Sequence, residues 1–263
     1  MKKYTADFET ATWLENETYV WAWAICEIGK PDNIIIDNSI ETFIEWCKKN
    51  YNTTLYFHNL KFDGEFIISY LFNHGFEHVK TRGEKRDNTF TTLISDMGLF
   101  YSIEIFFEIK GKNVKKITII DSLKILNMPV GSEDNHNVAS AFGLPISKLK
   151  LDYNTPRERG HELTEHEKEY ITNDVKIMSL ALDVLFRNGH DYMTAASDGM
   201  HDFKKTHSFR KFNRMFPELN YNVDHDMRQA YKGGFTYLNP IYKEKDVING
   251  VVLDVNSLRY TLV

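Results

Sequence analysis

Asp7 and Glu9 stand two apart in residues 4–10, a stretch that alternates in the manner of a β-strand. A strand's period of two puts both carboxylates on one face, where they repel. A divalent cation removes that repulsion, because Mg2+ and Mn2+ prefer oxygen ligands. The plain alternative is the exposed polar face of an edge strand. Asp63 closes the string His58-Asn59-Leu60-Lys61-Phe62-Asp63-Gly64, between a strand's end and a helix's start. Ligands gather at such junctions in α/β sheets, and an Asp before a helix is also an ordinary cap. Tyr170 and Asp174 are four apart on a late helix, so both project from one face, adjacent to its apolar stripe. A half-buried polar pair flanking the core would look the same.

The elements that must position these residues are legible in outline. Strands are expected at 4–10, 19–28, with tryptophans at 21 and 23, 34–37 and 53–57. Ser39 is placed to cap a helix whose Ile40, Phe43, Ile44 and Cys47 form one apolar face. A second helix is expected at 64–73, with Phe66, Ile67, Tyr70 and Leu71 inward, and a hairpin at 100–120 turning through Gly111. The sequence Thr164-Glu165-His166-Glu167 is a capping box. It opens a long helix with Ile171, Val175, Met178, Leu182 and Leu185 in a 4-3-4-3 rhythm. After Thr194 the pattern changes: residues 203–215 carry Lys204, Lys205, Arg210, Lys211 and Arg214 without an acid, interleaved with Phe203, Phe209 and Phe212. This reads either as a nucleic-acid flank or as a solvated helix face. The expected division is therefore 1–194 and 195–263.

Composition bounds the rest. A 263-residue chain that is 42% hydrophobic and 14% aromatic has the material for a sizeable core, which excludes a disordered chain. The longest unbroken apolar run, residues 20–26, is too short for a membrane helix, and no signal-type stretch follows the N-terminus. A cytoplasmic protein without a membrane partner is expected. Cys26 and Cys47 have neither C-x-x-C spacing nor zinc-finger histidines and read as core thiols. A net charge of −5 argues against nonspecific coating of nucleic acid, but it is compatible with a nuclease that gathers carboxylates around metals.

Taken in order, D-x-E on a first strand, N-x-x-x-D-G at a later junction and Y-x-x-x-D on a late helix resemble the DEDD-type 3′-to-5′ exonucleases of the ribonuclease-H-like fold. The subtype is the one with a tyrosine four residues before the last Asp; five before it stands Glu169. More closely, Asp7-Phe8-Glu9-Thr10, the string from Tyr56 to Gly64 and Tyr170-Ile171-Thr172-Asn173-Asp174 are similar to the exonuclease motifs of protein-primed family B DNA polymerases of small bacteriophages. Lys148 to Tyr153 resembles the segment where that family keeps a catalytic lysine and a tyrosine ligand of single-stranded DNA. Tyr231-Lys232-Gly233-Gly234 is similar to its Y-x-G-G motif, and residues 252–258, with Asp254, resemble the start of polymerase motif A. Here Arg259 follows Leu258 where the family continues Tyr-Pro, and the chain ends at Val263.

The resemblance implies an α/β, ribonuclease-H-like exonuclease with a mixed central sheet flanked by helices, followed by an incomplete palm from a truncated gene, a frameshifted remnant or a chain cut short. Asp7, Glu9, Asp63 and Asp174 would hold two Mg2+ or Mn2+ ions, Tyr170 would orient the attacking water and Lys148 would meet the phosphate. Thr10, His58, Asn59, Phe62 and Tyr153 would contact the strand, with Tyr231, Gly233 and Gly234 near DNA as well. The partners implied are single-stranded 3′ ends, primer-template DNA and a terminal priming protein; Asp254 alone would not support polymerisation. The competing readings are a noncatalytic single-strand-binding or partner-docking remnant and another ribonuclease-H-like phosphotransferase.

Overall fold

The computed structural model describes residues 2–14, 17–131, 136–230 and 239–245. Tyr231, Gly233, Gly234 and Asp254 lie outside the described residues. Two compact units are present, Met1–Thr206 and His207–Val263. The first extends past Thr194 because its last helix is tied back to the preceding loop. His190 Nδ1 lies 2.6 Å from Asp198 Oδ2, and the Tyr192 hydroxyl is 2.5 Å from His201 Nδ1.

Eight strands build one mixed sheet: β1 (Lys3–Thr10), β2 (Val20–Glu27), β3 (Lys30–Asp37), β4 (Thr53–Phe57), β5 (Glu77–His78), β6 (Thr89–Ile94), β7 (Phe100–Lys110) and β8 (Asn113–Asp121). Their order is β3-β2-β1-β4-β8-β7-β6-β5. The centre, β1-β4-β8, is parallel, and the antiparallel pairs β1-β2-β3 and β8-β7-β6 flank it. This is the mixed central sheet flanked by helices that the sequence resemblance implied.

Strand β1 serves both faces of the sheet. Tyr4, Ala6 and Phe8 join the core beneath α1 (Ile40–Lys49) and α2 (Leu60–Asn73), with the Phe8 ring 4.8 Å from Phe43 and 5.0 Å from Phe57. On the alternate positions Thr5, Asp7 and Glu9 face the long helix α4 (Glu165–Arg187), where the Thr5 hydroxyl donates to the Val175 carbonyl at 2.6 Å. A short helix, α3 (Val138–Ala141), precedes it.

Helix α4 begins as the capping box requires. Thr164 Oγ1 accepts from the Glu167 amide, and the Glu167 carboxylate accepts from the Thr164 amide. Glu167 is also met by Arg157 Nε at 2.5 Å and His161 Nε2 at 2.9 Å. Burial alone would raise its pKa; these donors outweigh it and hold the carboxyl down at about 2.

One local expectation needs correction, and two further features carried no signal in the sequence. Helix α2 starts at Leu60 rather than Gly64, so Asp63 lies inside its first turn and is not its cap. Asn59 takes that position in a left-handed conformation (φ 73°), and the Asp121 carboxylate at the end of β8 accepts from the Asn59 and Leu60 amides at 3.1 and 3.3 Å. A residue distant in sequence thus does the capping. Trp21 and Trp23 do not share a face. Glu9 pairs with Ala22 and Thr10 with Val20, leaving Trp21 as the extra residue of a β-bulge that sends it to the α4 side while Trp23 packs beside α1. Finally, residues 203–215 are not one helix: α5 (Ala195–His207) and α6 (Phe209–Met215) are separated at Ser208 (φ 57°). In the second unit α6 is followed by α7 (Tyr221–Ala230). Both cysteines are buried and free, and among the described residues no helix is long and apolar enough to cross a membrane.

Candidate active site

The parallel pairing of β1 with β4 ends at Ala6 and Phe57, and β1 runs on to Thr10; the crevice outside such carboxyl ends is where an α/β sheet receives ligands. Strand β1 brings Asp7 and Glu9 there, the first turn of α2 brings Asp63, and α4 brings Tyr170 and Asp174. Asp7, Glu9 and Asp174 each offer a carboxylate oxygen within 4.8 Å of the others. Glu9, Asp63 and Asp174 are buried, at 5%, 3% and 4% exposure, with Asp7 half-buried at the rim. Tyr170 and Asp174 do not flank the core as expected: Tyr170 is 1% exposed and packs within it.

These acids have too few partners. Asp63 Oδ1 and Asp174 Oδ1 are buried without any hydrogen bond, which costs free energy unless something else satisfies them. Burial, then the Asp174 carboxylate, pushes the Asp7 carboxyl up to about 7. Burial, followed by Asp7, holds Glu9 well above the usual carboxylate range, and the same two causes act on Asp63. Burial raises Asp174 against the opposing pull of Lys148, whose Nζ is 2.6 Å from Asp174 Oδ2. For Lys148 itself burial would lower the pKa, but the Asp174 carboxylate outweighs it. One ammonium therefore faces three carboxylates, Asp174, Asp7 and Glu9, while Asp63 stands outside that close group and feels Asp7 and Glu9. Converging oxygen ligands with orphaned lone pairs form the donor set that Mg2+ or Mn2+ takes.

The remaining predicted residues fall into two groups. Tyr153, 44% exposed, reaches inward to place its hydroxyl 2.5 Å from that of Tyr170. Burial first, then this hydrogen bond, raises the Tyr170 phenol pKa. Tyr170 is therefore a neutral donor and acceptor at neutral pH rather than a base. Asn59 and Phe62 are exposed on the first turn of α2, beside Asp63. Thr10 is buried at the end of β1. His58 is engaged internally, its Nδ1 3.2 Å from Ser122 Oγ and its Nε2 2.8 Å from the Met128 carbonyl, so both ring nitrogens are used within the protein.

Asp121 was not singled out from the sequence; an acid ending a strand next to Ser122 was its only signal. By capping α2 it sets the turn that carries Asp63. Among the described residues His190, Asp198 and Asp202 also have donor atoms this close. That group has two carboxylates and an imidazole with Asp202 exposed, whereas the first has three carboxylates, two of them buried.

Comparison with known proteins shows the family and the fold. The family model described as DNA polymerase type B, organellar and viral, matches residues 44–260. The chain is 47% identical over 257 residues to the DNA polymerase of Bacillus phage M2 and 42% identical over 257 residues to that of Bacillus phage phi29, covering 98% of this chain and 43% of each relative. A solved structure of phi29 DNA polymerase complexed with single-stranded DNA superposes with a TM-score of 0.80 at 40% identity, over 93% of this chain and 42% of that one. The complex of the same polymerase with primer-template DNA gives 0.80 over 91% of this chain. The chain thus spans less than half the length of these relatives.

Proposed function

Because the chain belongs to the organellar and viral DNA polymerases of type B, we propose that its first unit is a 3′-to-5′ exonuclease acting on single-stranded DNA ends, the proofreading part of such a polymerase. One observation carries the reading: Asp7, Glu9 and Asp174 converge with the buried Asp63 nearby, and Asp63 and Asp174 each keep an oxygen without a partner, against a neutral tyrosine. A deoxynucleoside 5′-monophosphate would be the product. The solved complexes of the phi29 enzyme with single-stranded and primer-template DNA support DNA as the partner. The reading of the chain's final part as the start of a palm rests on the sequence motifs alone.

Asp7, Glu9, Asp63 and Asp174 would hold two ions, Mg2+ or Mn2+. When bound, such ions lower the pKa of the attacking water and stabilise the leaving 3′ oxygen. The Tyr170 hydroxyl orients the water by a hydrogen bond. Lys148, held by Asp174, brings positive charge to the phosphate as negative charge grows in the transition state. Asn59, Phe62 and Tyr153 offer an amide and two exposed rings beside the carboxylates, and such groups hold unstacked bases without reading sequence.

The test is degradation of a 5′-labelled single-stranded oligonucleotide with Mg2+ or Mn2+, beside the Asp7→Ala, Glu9→Ala double variant. A ladder shortening from the 3′ end and absent in the variant is expected. Identical cleavage by the folded variant would overturn the assignment, and binding without cleavage by the wild type would favour a noncatalytic single-strand-binding module.

A further inference from the structure

Residues 145–163 link α3 to α4 with almost no regular structure. Among the described residues their internal backbone hydrogen bonds are Thr155 to Asp152 and His161 to Glu158. Yet this segment delivers two groups to the carboxylate centre, Lys148 and Tyr153. Backbone without a ladder must be fixed by side chains if it is to hold such groups in place.

Arg157 is built to do this. It is 4% exposed, and a buried guanidinium needs several acceptors. Its Nε donates to Glu167 Oε1 at 2.5 Å, while Nη1 donates to the carbonyls of Asp152 and Thr155, both at 2.9 Å. Its Cζ lies 4.7 Å from the centre of the Trp21 ring, the residue that the β2 bulge turns to this side. The Tyr19 hydroxyl donates to the Arg157 carbonyl at 3.0 Å. One side chain thus joins the first turn of α4, the bulge of β2 and the peptide immediately before Tyr153. Glu167, in turn, stands one helical turn before Tyr170, so the fork spans the two elements that meet at the Tyr153–Tyr170 hydrogen bond.

We propose that Arg157 is a positioning residue of the nuclease centre: its bond to Glu167 and the flanking carbonyls sets Tyr153 against Tyr170. The claim rests on the exonuclease reading above and deepens it. A fork is required rather than a charge alone, because lysine cannot present donors to a carboxylate and two carbonyls in one plane.

The test uses the full chain with Arg157→Lys, Tyr153→Phe and both together, assayed on a single-stranded oligonucleotide with Mn2+. Arg157→Lys is expected to lower kcat about tenfold, the scale of a small misplacement of a reacting group, with Mn2+ affinity unchanged. In the Tyr153→Phe background the same change is expected to have little further effect on kcat, while its Tm loss is the same in both backgrounds. An equal kcat loss in both backgrounds, or normal turnover by Arg157→Lys, would overturn the proposal. Should Arg157→Lys fail to fold, Tyr19→Phe removes one hydrogen bond and is expected to give a smaller kcat loss that Tyr153→Phe again masks; a loss that persists there counts against the proposal. Amide hydrogen exchange provides a readout independent of activity. Faster exchange confined to residues 148–157 in Arg157→Lys supports the proposal, and unchanged exchange there defeats it. A wild type that exchanges as expected but degrades no DNA would instead sink the exonuclease reading.

Discussion

Glu167 and Asp174 lie on the same face of α4, two turns apart, and both are buried. Their surroundings differ completely. Glu167 accepts from Arg157, His161 and Thr164, and its carboxyl is held at about 2. Asp174 has one ammonium, an orphaned oxygen and other acids around it, and its pKa is raised. A buried acid with a full set of donors is structural. A buried acid among acids is held in an unfavourable state that a cation relieves. Burial alone does not separate the two roles; the count of partners does.

The largest effect that would break this contrast is on cleavage. Asp7→Ala or Asp174→Ala should lower Mn2+-dependent degradation of a single-stranded oligonucleotide on the order of a thousandfold, with Tm measured to confirm folding. At the satisfied site the loss falls on stability instead. Glu167→Gln leaves Arg157 buried without its counter-charge and should cost about 3–5 kcal/mol in urea unfolding. A loss under 1 kcal/mol would mean that the pair is not as closed as it looks. Tyr170→Phe removes one hydroxyl and should lower kcat about 10- to 100-fold while Mn2+ affinity, read by titration, stays put.

Smaller and opposite in sign is Asp63→Asn. In EDTA it removes an uncompensated buried charge and should stabilise by roughly 1–2 kcal/mol. In excess Mn2+ the wild type should become the more stable of the two, because binding to the native state adds to its stability. The two acid types also give opposite pH dependences. The Asp7 carboxyl titrates at about 7 against an ordinary 3.8. Its contribution to stability is therefore complete below about pH 4 and lost as pH rises to 7 in the metal-free protein. Glu167 is depressed from 4.5 to about 2, so its contribution is present above pH 4.5 and lost as pH falls towards 2. Urea midpoints against pH for Asp7→Asn and Glu167→Gln would separate the two slopes.

The long helix was legible because Thr164 and Glu167 signal its start locally and its apolar rhythm persists for several turns. The shared face of Asp7 and Glu9 followed from strand period alone. What escaped was non-local. The start of α2 depends on Asp121 from another strand, which caps the turn at Asn59, and nothing near Asn59 in sequence signals that partner. The bulge at Trp21 breaks the very alternation from which a strand is read. Glu167 was seen as half of a capping box, but its pairing with Arg157 crosses an irregular loop that carries no periodic signal. That Asp63 and Asp174 each keep one oxygen without a partner is a property of packing, visible only once their surroundings are assembled.

The central claim, that the four acids are held protonated or repelling until cations arrive, is tested most directly by titrating Mn2+ into the protein at pH 6 in two buffers of different ionisation enthalpy. Metal ligands must lose their protons to bind. Binding should therefore release protons at pH 6, release fewer at pH 8, and disappear in the Asp7→Ala, Asp174→Ala double variant. Binding without proton release at pH 6, or binding unchanged in that variant, would contradict the account.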